Sequence, residues 1–333
     1  MTETTEPARA AAFGSGLVRL LPRPSDYRGL RSSWKGDVVA GLTVGVVALP
    51  LALAFGITTG LGAAAGLTTA IVAGLVAGIF GGSNLQVSGP TGAMTVVLVP
   101  LVARYGANAV FTVGLMAGIL VLVAGFVRLG RAVAYIPWPV VEGFTVGIAV
   151  IIFLQQIPAA LGVAKPAGEN TAVVAARAVR AAAGSFNWEP VALVALVALV
   201  MVVLPRLHRS LPASLLAVVA ATVGVRVTGW DVATIGALPS SLPHPSLPAL
   251  GQAPQLVSAA VAVAVLAAIE SLLSAKVADG MADVTPSDPD RELFGQGLAN
   301  VASALFGGMP STGAIARTAV NARAGARTRV SAV

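Results

Sequence analysis

Apolar positions in this chain come in long unbroken runs, not in alternation or as a narrow helical stripe. Between Asp37 and Arg104 stand 66 consecutive residues without an Asp, Glu, Lys or Arg. Further uncharged runs cover 105–127, 143–164, 190–205, 210–225 and 293–316. A helix rises about 1.5 Å per residue and a bilayer's hydrocarbon core is about 30 Å thick, so roughly 20 apolar residues cross it. Laid on these runs, such segments predict ten spans near 38–58, 62–80, 84–103, 107–127, 132–160, 189–205, 211–227, 255–275, 293–308 and 311–323. The segment 170–183 is mildly amphipathic and reads as an interfacial or loop helix. Pro239, Pro243, Pro245, Pro248 and Pro254 keep 229–254 from being helical, which makes it a stiff connection between two halves.

Composition turns this pattern into a statement about solvent. The chain has 333 residues, 56% of them hydrophobic and 11% charged, with a mean hydropathy of +0.86, and a soluble surface needs roughly 25–35% charged residues. The solvent is therefore lipid. The absence of cysteine excludes disulfides and thiolate metal sites. A net charge of +7 would suggest nucleic acid in a soluble protein; here the basic residues mark loops on one side of a membrane. Threading the spans from a cytoplasmic tail over 1–34, which lacks the apolar stretch of a signal peptide, places sixteen Lys and Arg inside and five outside. That arrangement predicts a multi-pass protein of the cell membrane with its N-terminus in the cytoplasm.

The most informative pattern is an internal repeat. Phe80-Gly81-Gly82 precedes Gly89-Pro90-Thr91-Gly92-Ala93, and Phe306-Gly307-Gly308 precedes Pro310-Ser311-Thr312-Gly313-Ala314. The two copies fall on spans three and ten, an odd separation of seven, so they enter the membrane from opposite sides, as in inverted-repeat transporters. Each proline step breaks its span, leaving a half-helix expected to start at the threonine. Two helix N-termini then face each other near the midplane, each with unpaired N–H groups and about half a positive charge. That is an anion site made without a charged side chain. Gly92 and Gly313 leave the backbone open to close approach, while Thr91, Ser311 and Thr312 supply hydroxyls.

Glu270 carries the second signal, because an ionised carboxylate about 9 Å inside predicted span eight is costly unless paired, protonated or bound to a cation. Ser274 follows one turn later on the same face, and such oxygen ligands suit a hard cation. Arg317 lies inside half-helix ten, where it either meets a carboxylate or reaches the cytoplasm. Glu142 reads as an interfacial carboxylate and His208 and His244 as loop residues. Gly41/Gly45, Gly74/Gly78, Gly114/Gly118 and Gly143/Gly147 indicate tight helix bundling. No nucleotide loop, catalytic triad or metal spacing is present, which leaves an enzyme or an ATP-driven pump without support.

The stretch Asp37 to Gly45 with Ala48-Leu49-Pro50-Leu51-Ala52-Leu53-Ala54-Phe55, then Gln86-Val87-Ser88-Gly89-Pro90-Thr91-Gly92-Ala93, Gly295 to Asn300, and Gly307 to Ala314 resembles the SulP sulfate permease and anion transporter family. The likeness runs from about residue 27 to the end. It implies an all-α membrane protein with seven plus seven inverted spans, like the uracil transporter, with about ten of the fourteen represented up to Val333. On that scheme 35–131 forms core spans one to four, 132–228 gate spans five to seven, 229–254 an extracellular linker, and 255–333 the second-repeat core spans eight to ten. A homodimer is the implied assembly of the complete chain, and spans eleven to fourteen and a cytoplasmic STAS domain are expected beyond Val333.

The resemblance further implies an inorganic anion held between half-helices three and ten, by Phe55, Ser88, Thr91, Gly92, Ala93, Ser311, Thr312, Gly313 and Ala314. In the sodium-coupled bicarbonate branch a carboxylate and hydroxyl on span eight bind the ion with backbone of span ten; Glu270, Ser274, Gly313 and Ala314 occupy those places. Many relatives carry Gln and Tyr where this chain has Leu51 and Phe55, which favours bicarbonate-type or broad specificity over sulfate. The expected function is secondary transport of bicarbonate, sulfate or chloride by alternating access, coupled to Na+ or H+, with no other cofactor and no nucleic acid partner. The alternatives on the same scaffold are an uncoupled anion channel and a dicarboxylate transporter.

Overall fold

The computed structural model describes residues 19–333 except 28, 136, 169, 185, 208–212, 236, 237, 239 and 283. The tail before residue 19, with Arg28, His208 and Arg209, lies outside the described residues.

Helix α1 covers Leu30–Thr58 and α2 Ala63–Phe80. The chain then extends through β1, Ser88–Gly89, into α3, Gly92–Tyr105, and turns into α4, Ala107–Phe126. A 3₁₀ segment, Leu129–Tyr135, leads to α5, Trp138–Ala160. Helices α6, Thr171–Gly184, α7, Trp188–Leu207, and α8, Ala213–Thr228, follow. After the proline-rich connection come α9, Ala253–Asp279, α10, Pro289–Leu305, β2, Thr312–Gly313, and α11, Ile315–Arg323.

Among the described residues five helices are long and apolar enough to cross a membrane, α1, α2, α4, α7 and the α9 segment. Several expected boundaries move, three of them for a clear local reason. Helix α1 begins at Leu30, eight residues before the predicted 38, because its first turns carry polar residues that continue the helix beyond the apolar run. Expected span five starts at Trp138 and not at 132: Pro137 and Pro139 lack the N–H a preceding turn would need, and the chain before them winds as a 3₁₀ segment. Helix α11 starts at Ile315, not Thr312, since Thr312 and Gly313 are pulled into an extended pair with Ser88 and Gly89.

Helix α10, expected as span nine over 293–308, is the polar centre of the bundle. Asp290, Arg291, Glu292, Gln296, Asn300 and Ser303 are all buried on it, and it packs against α4, α2 and α9. Its polar side chains face protein, so its hydropathy understates its depth. Gly118 lets α4 approach closely, since a side chain there would meet the backbone of Val301, whereas Gly143 and Gly147 face open space. The main apolar core joins α3, α4 and α9 through Met94, Leu98, Val110, Val113, Leu256, Val263 and Leu266. By contrast α7 buries no residue, and Leu199, Val202 and Leu207 point outward, as expected of a lipid-facing helix.

At the end of the bundle where α1 begins, charges that hydropathy alone would put in water are buried and paired. Arg291 donates from Nη2 to Asp26 Oδ2 at 2.7 Å, and Glu292 accepts from the amides of Gly82 and Ser83 at 2.9 and 3.0 Å. Asp290 accepts from the Gly130 amide at 3.1 Å, holding the link between α4 and α5. Asp37 accepts from the amides of Arg327 and Thr328 at 2.7 and 3.0 Å. The turn after α11 is thereby tied to the first turns of α1.

Candidate functional site

The two sequence breaks meet in space. Ser88 pairs with Gly313 and Gly89 with Thr312 in an antiparallel ribbon of two residues per strand. The antiparallel sense is what the inverted repeat requires, because equivalent segments run in opposite directions. Beyond the ribbon each chain turns into a half-helix of 14 residues for α3 and 9 for α11. At about 1.5 Å per residue these are roughly 21 and 14 Å long, too short to cross the hydrocarbon alone.

A polar frame holds the ribbon. Gln296 on α10 accepts from Ser88 Oγ and donates to Ser311 Oγ, each at 2.9 Å. One turn on, Asn300 donates to the Ser311 carbonyl at 3.0 Å and accepts from its amide at 2.7 Å. One amide side chain therefore bridges both breaks, and the next secures the second. On α9, Ser271 Oγ accepts from the Gly313 amide at 2.9 Å and lies 3.0 Å from Thr312 Oγ1. Thr312 Oγ1 spends its hydrogen on the Ala267 carbonyl, so Ser271 is the donor in that pair.

Beside the ribbon lies a cavity of about 210 Å³ lined by Leu51 of α1, Thr91 to Ala93, Thr145 and Ile148 of α5, Glu270 and Leu273 of α9, and Ala314 to Arg317. The first amides of a helix have no intrahelical acceptor. In α3 these are Gly92 and Ala93, the third being capped by Thr91, which accepts from the Met94 amide at 3.4 Å. In α11 they are Ile315, Ala316 and Arg317. Both sets belong to residues of the cavity wall, so two positive helix ends converge on one space.

Two charged side chains line the cavity. Arg317 is buried and donates from Nη2 to the Pro90 carbonyl at 2.8 Å. Glu270 accepts from Thr91 Oγ1 at 3.1 Å. Each charge of the second half is thus fastened to one of two consecutive residues of the first.

Of the residues singled out from sequence, Thr91, Gly92, Ala93, Ala314 and Glu270 come together at this cavity. Ser88, Ser311, Thr312 and Gly313 sit one layer behind it, with their hydrogen-bonding groups used in the frame. A side chain on Gly313 would collide with the Gln86 amide, so that glycine is needed for the frame. The Ala314 amide donates to the Val87 carbonyl at 2.9 Å. Phe55 stands over the helix end: a methyl on Gly92 would overlap Ile152 and lie 3.6 Å from the Phe55 ring. Ser274 is directed away from the Glu270 carboxylate to Thr318 Oγ1 at 3.0 Å, and that oxygen also accepts from the Val87 amide at 3.1 Å. Sequence reasoning missed Ser271 and Thr318 and left Arg317 undecided. The i, i+4 spacing of Gln296 and Asn300 on one helix face was the available signal for the frame.

The profile of the sulfate permease family matches residues 34–333. YvdB of Bacillus subtilis, which carries a provisional sulfate-transporter name, is 39% identical over 304 residues, covering 89% of this chain and 57% of the relative. The bicarbonate transporter BicA of a Synechocystis strain is 37% identical over 314 residues, covering 89% of this chain and 54% of BicA. The chain spans about half the length of these curated relatives. The transmembrane domain of a cyanobacterial BicA superimposes with a TM-score of 0.83 at 35% identity, over 92% of this chain and 79% of that one. SLC26A9 superimposes with a TM-score of 0.85 at 16% identity, over 99% of this chain and 56% of that one, a likeness of fold alone. Sequence, inverted ribbon and superposition agree that this chain belongs to the sulfate permease family, a family of multi-pass membrane transporters with the seven-plus-seven inverted-repeat fold.

Proposed function

We propose that the chain forms the substrate-holding part of a secondary anion transporter, with a small inorganic anion seated between the N-termini of α3 and α11. The observation that carries this reading is the cavity itself: unpaired amides from two opposed half-helices and the Arg317 guanidinium surround about 210 Å³. Backbone N–H groups at a helix start bind anions without a further device, and the guanidinium supplies a permanent positive charge. Bicarbonate, sulfate and chloride all fit this chemistry. The apolar Leu51 in the wall offers no hydrogen bond, which favours a small oxyanion such as bicarbonate over the more strongly hydrated sulfate.

Glu270 is the coupling group in this reading. Ionised, it repels an anion in the same cavity; with a sodium ion or a proton bound, that repulsion is gone and the two ligands favour each other. Transport then follows from alternating access, in which the core of α1 to α4 and α9 to α11 moves against gate helices α5 to α8. In this reading the charged end near Asp26 and Asp290 faces the cytoplasm of a plasma-membrane protein whose complete form is a homodimer, an orientation supported by the excess of Lys and Arg on that side. The test is uptake by the full chain in proteoliposomes, comparing bicarbonate, sulfate, chloride and a dicarboxylate with and without sodium and across pH. Cation-dependent uphill uptake of an inorganic anion supports the reading; flux that only runs down its gradient would replace it with a channel.

A further inference from the structure

Thr91 does two jobs with one hydroxyl. Its oxygen accepts from the Met94 amide at 3.4 Å and so caps α3, and its hydrogen goes to Glu270 Oε2 at 3.1 Å. The direction of the second bond is fixed, because an ionised carboxylate only accepts. The first bond holds the oxygen in place over the helix end, yet the hydrogen remains free to swing about the Cβ–Oγ bond. Thr91 also lines the cavity, next to the unpaired amides of Gly92 and Ala93.

We propose that Thr91 is the switch through which the ligand of Glu270 controls anion affinity: its hydroxyl hydrogen turns from the carboxylate to the anion when a cation or proton occupies the carboxylate. This rests on the reading of Glu270 as the coupling group. A sodium ion on Glu270 needs oxygen lone pairs, so Thr91 Oγ1 becomes a ligand and its hydrogen must leave that side. A protonated Glu270 has the same effect, since its O–H donates to Thr91 Oγ1 and takes the acceptor role. In both cases the freed hydrogen points into the cavity, where the anion is the available acceptor. Occupying the carboxylate therefore removes a negative charge and adds a donor at the anion.

The other charged group of the wall cannot do this. Arg317 keeps its charge and is tied to the Pro90 carbonyl; among the residues lining the cavity, Glu270 and Arg317 are the only ionisable ones. A hydrogen bond to a charged partner changes affinity by about tenfold or more, which sets the size of the effect.

The experiment measures equilibrium affinity of the full chain for bicarbonate and for sulfate, with and without sodium and at two pH values. The proteins are wild type, Thr91→Ser, Thr91→Val, Thr91→Asn and Glu270→Gln. Wild type and Thr91→Ser are expected to gain affinity when sodium or protons are supplied. Thr91→Val is expected to lose about tenfold of that gain, because its side chain has no hydrogen to turn toward the anion. Thr91→Asn keeps a good helix cap but offers an amide that cannot turn, so it folds and also lacks the gain. Full gain in Thr91→Asn would reduce Thr91 to a cap and overturn the proposal, as would full gain in Thr91→Val. A wild type whose affinity ignores both sodium and pH overturns the coupling role of Glu270 itself, an outcome distinct from a wild type that responds and Thr91 variants that still do.

Discussion

Ser88 and Gly313 lie opposite each other in the ribbon that joins the two repeats, and both are held from behind by α9 and α10. Gln296 reaches Ser88 and, through Ser311, the residues leading to Gly313. One hydrogen-bonded frame thereby joins the starts of the two half-helices, and on the proposed reading the anion enters a site that is already assembled.

Replacing Gln296 by Leu removes that bridge and leaves two buried hydroxyls without it. Each unsatisfied buried group costs about 1–3 kcal/mol, so the melting temperature of the purified protein should fall clearly. Asn300→Ala should do the same, since the Ser311 amide and carbonyl both depend on it. An unchanged melting temperature for Gln296→Leu would mean the bridge is not formed.

Gly92 of α3 faces Ile152 of α5, where the proposed core meets the proposed gate. A methyl there overlaps the Cδ1 end of Ile152 on α5, an overpacking of about 1–3 kcal/mol in this arrangement. Gly92→Ala should slow transport, and Ile152→Val, which deletes the offending methyl, should restore it in the double variant. Additive losses in the pair would show that the two residues do not meet.

Arg317→Gln removes the permanent positive charge of the cavity and, with a side chain two atoms shorter, also gives up the hydrogen bond to the Pro90 carbonyl. Anion affinity should drop at least about tenfold, the lower range for a hydrogen bond to a charged group. Arg317→Lys should recover part of it. Equal binding by Arg317→Gln and wild type would remove the guanidinium from the site.

Asp26 gives the fold an acid-sensitive contact outside the membrane. Burial pushes its carboxyl up, but the Arg291 hydrogen bond, the Arg23 amide and the charges of Arg329 and Arg291 outweigh that, and the group ends below the ordinary carboxylate value. A lowered folded-state pKa stabilises the fold above the unfolded value of about 3.9, and the contribution disappears as pH falls through the folded one. Asp26→Asn should lower the melting temperature at neutral pH and converge with wild type in acid. A constant gap across pH would contradict the charge-based origin.

Much of this was readable from local patterns. Uncharged runs located the apolar helices because lipid demands them, and the proline steps at Pro90 and Pro310 located both breaks because proline cannot continue a helix. Glu270 stood out as a carboxylate deep in an apolar run. What could not be read was set by distant partners. Thr312 and Gly313 are extended because Ser88 and Gly89 offer them a strand, so α11 begins three residues later than its proline alone would indicate. Ser274 has the right helical spacing to join Glu270, yet Thr318 on another helix claims its hydroxyl, while Ser271, at a spacing that drew no attention, receives the Gly313 amide. Asp290, Arg291 and Glu292 precede the expected start of span nine at 293, but Asp26 before α1, Gly82 and Ser83 after α2, and Gly130 after α4 meet them.

On the proposed reading an anion sits between the two half-helix ends. Its most direct measurement is the anomalous difference map of crystals of the full chain grown with bromide or selenate, anions whose heavy atoms mark their own positions. A peak is expected within hydrogen-bonding reach of the amides of Gly92 or Ala93 and of Ile315 or Ala316, beside Arg317. A bound anion found elsewhere, with this cavity empty at saturating concentration, would contradict that reading.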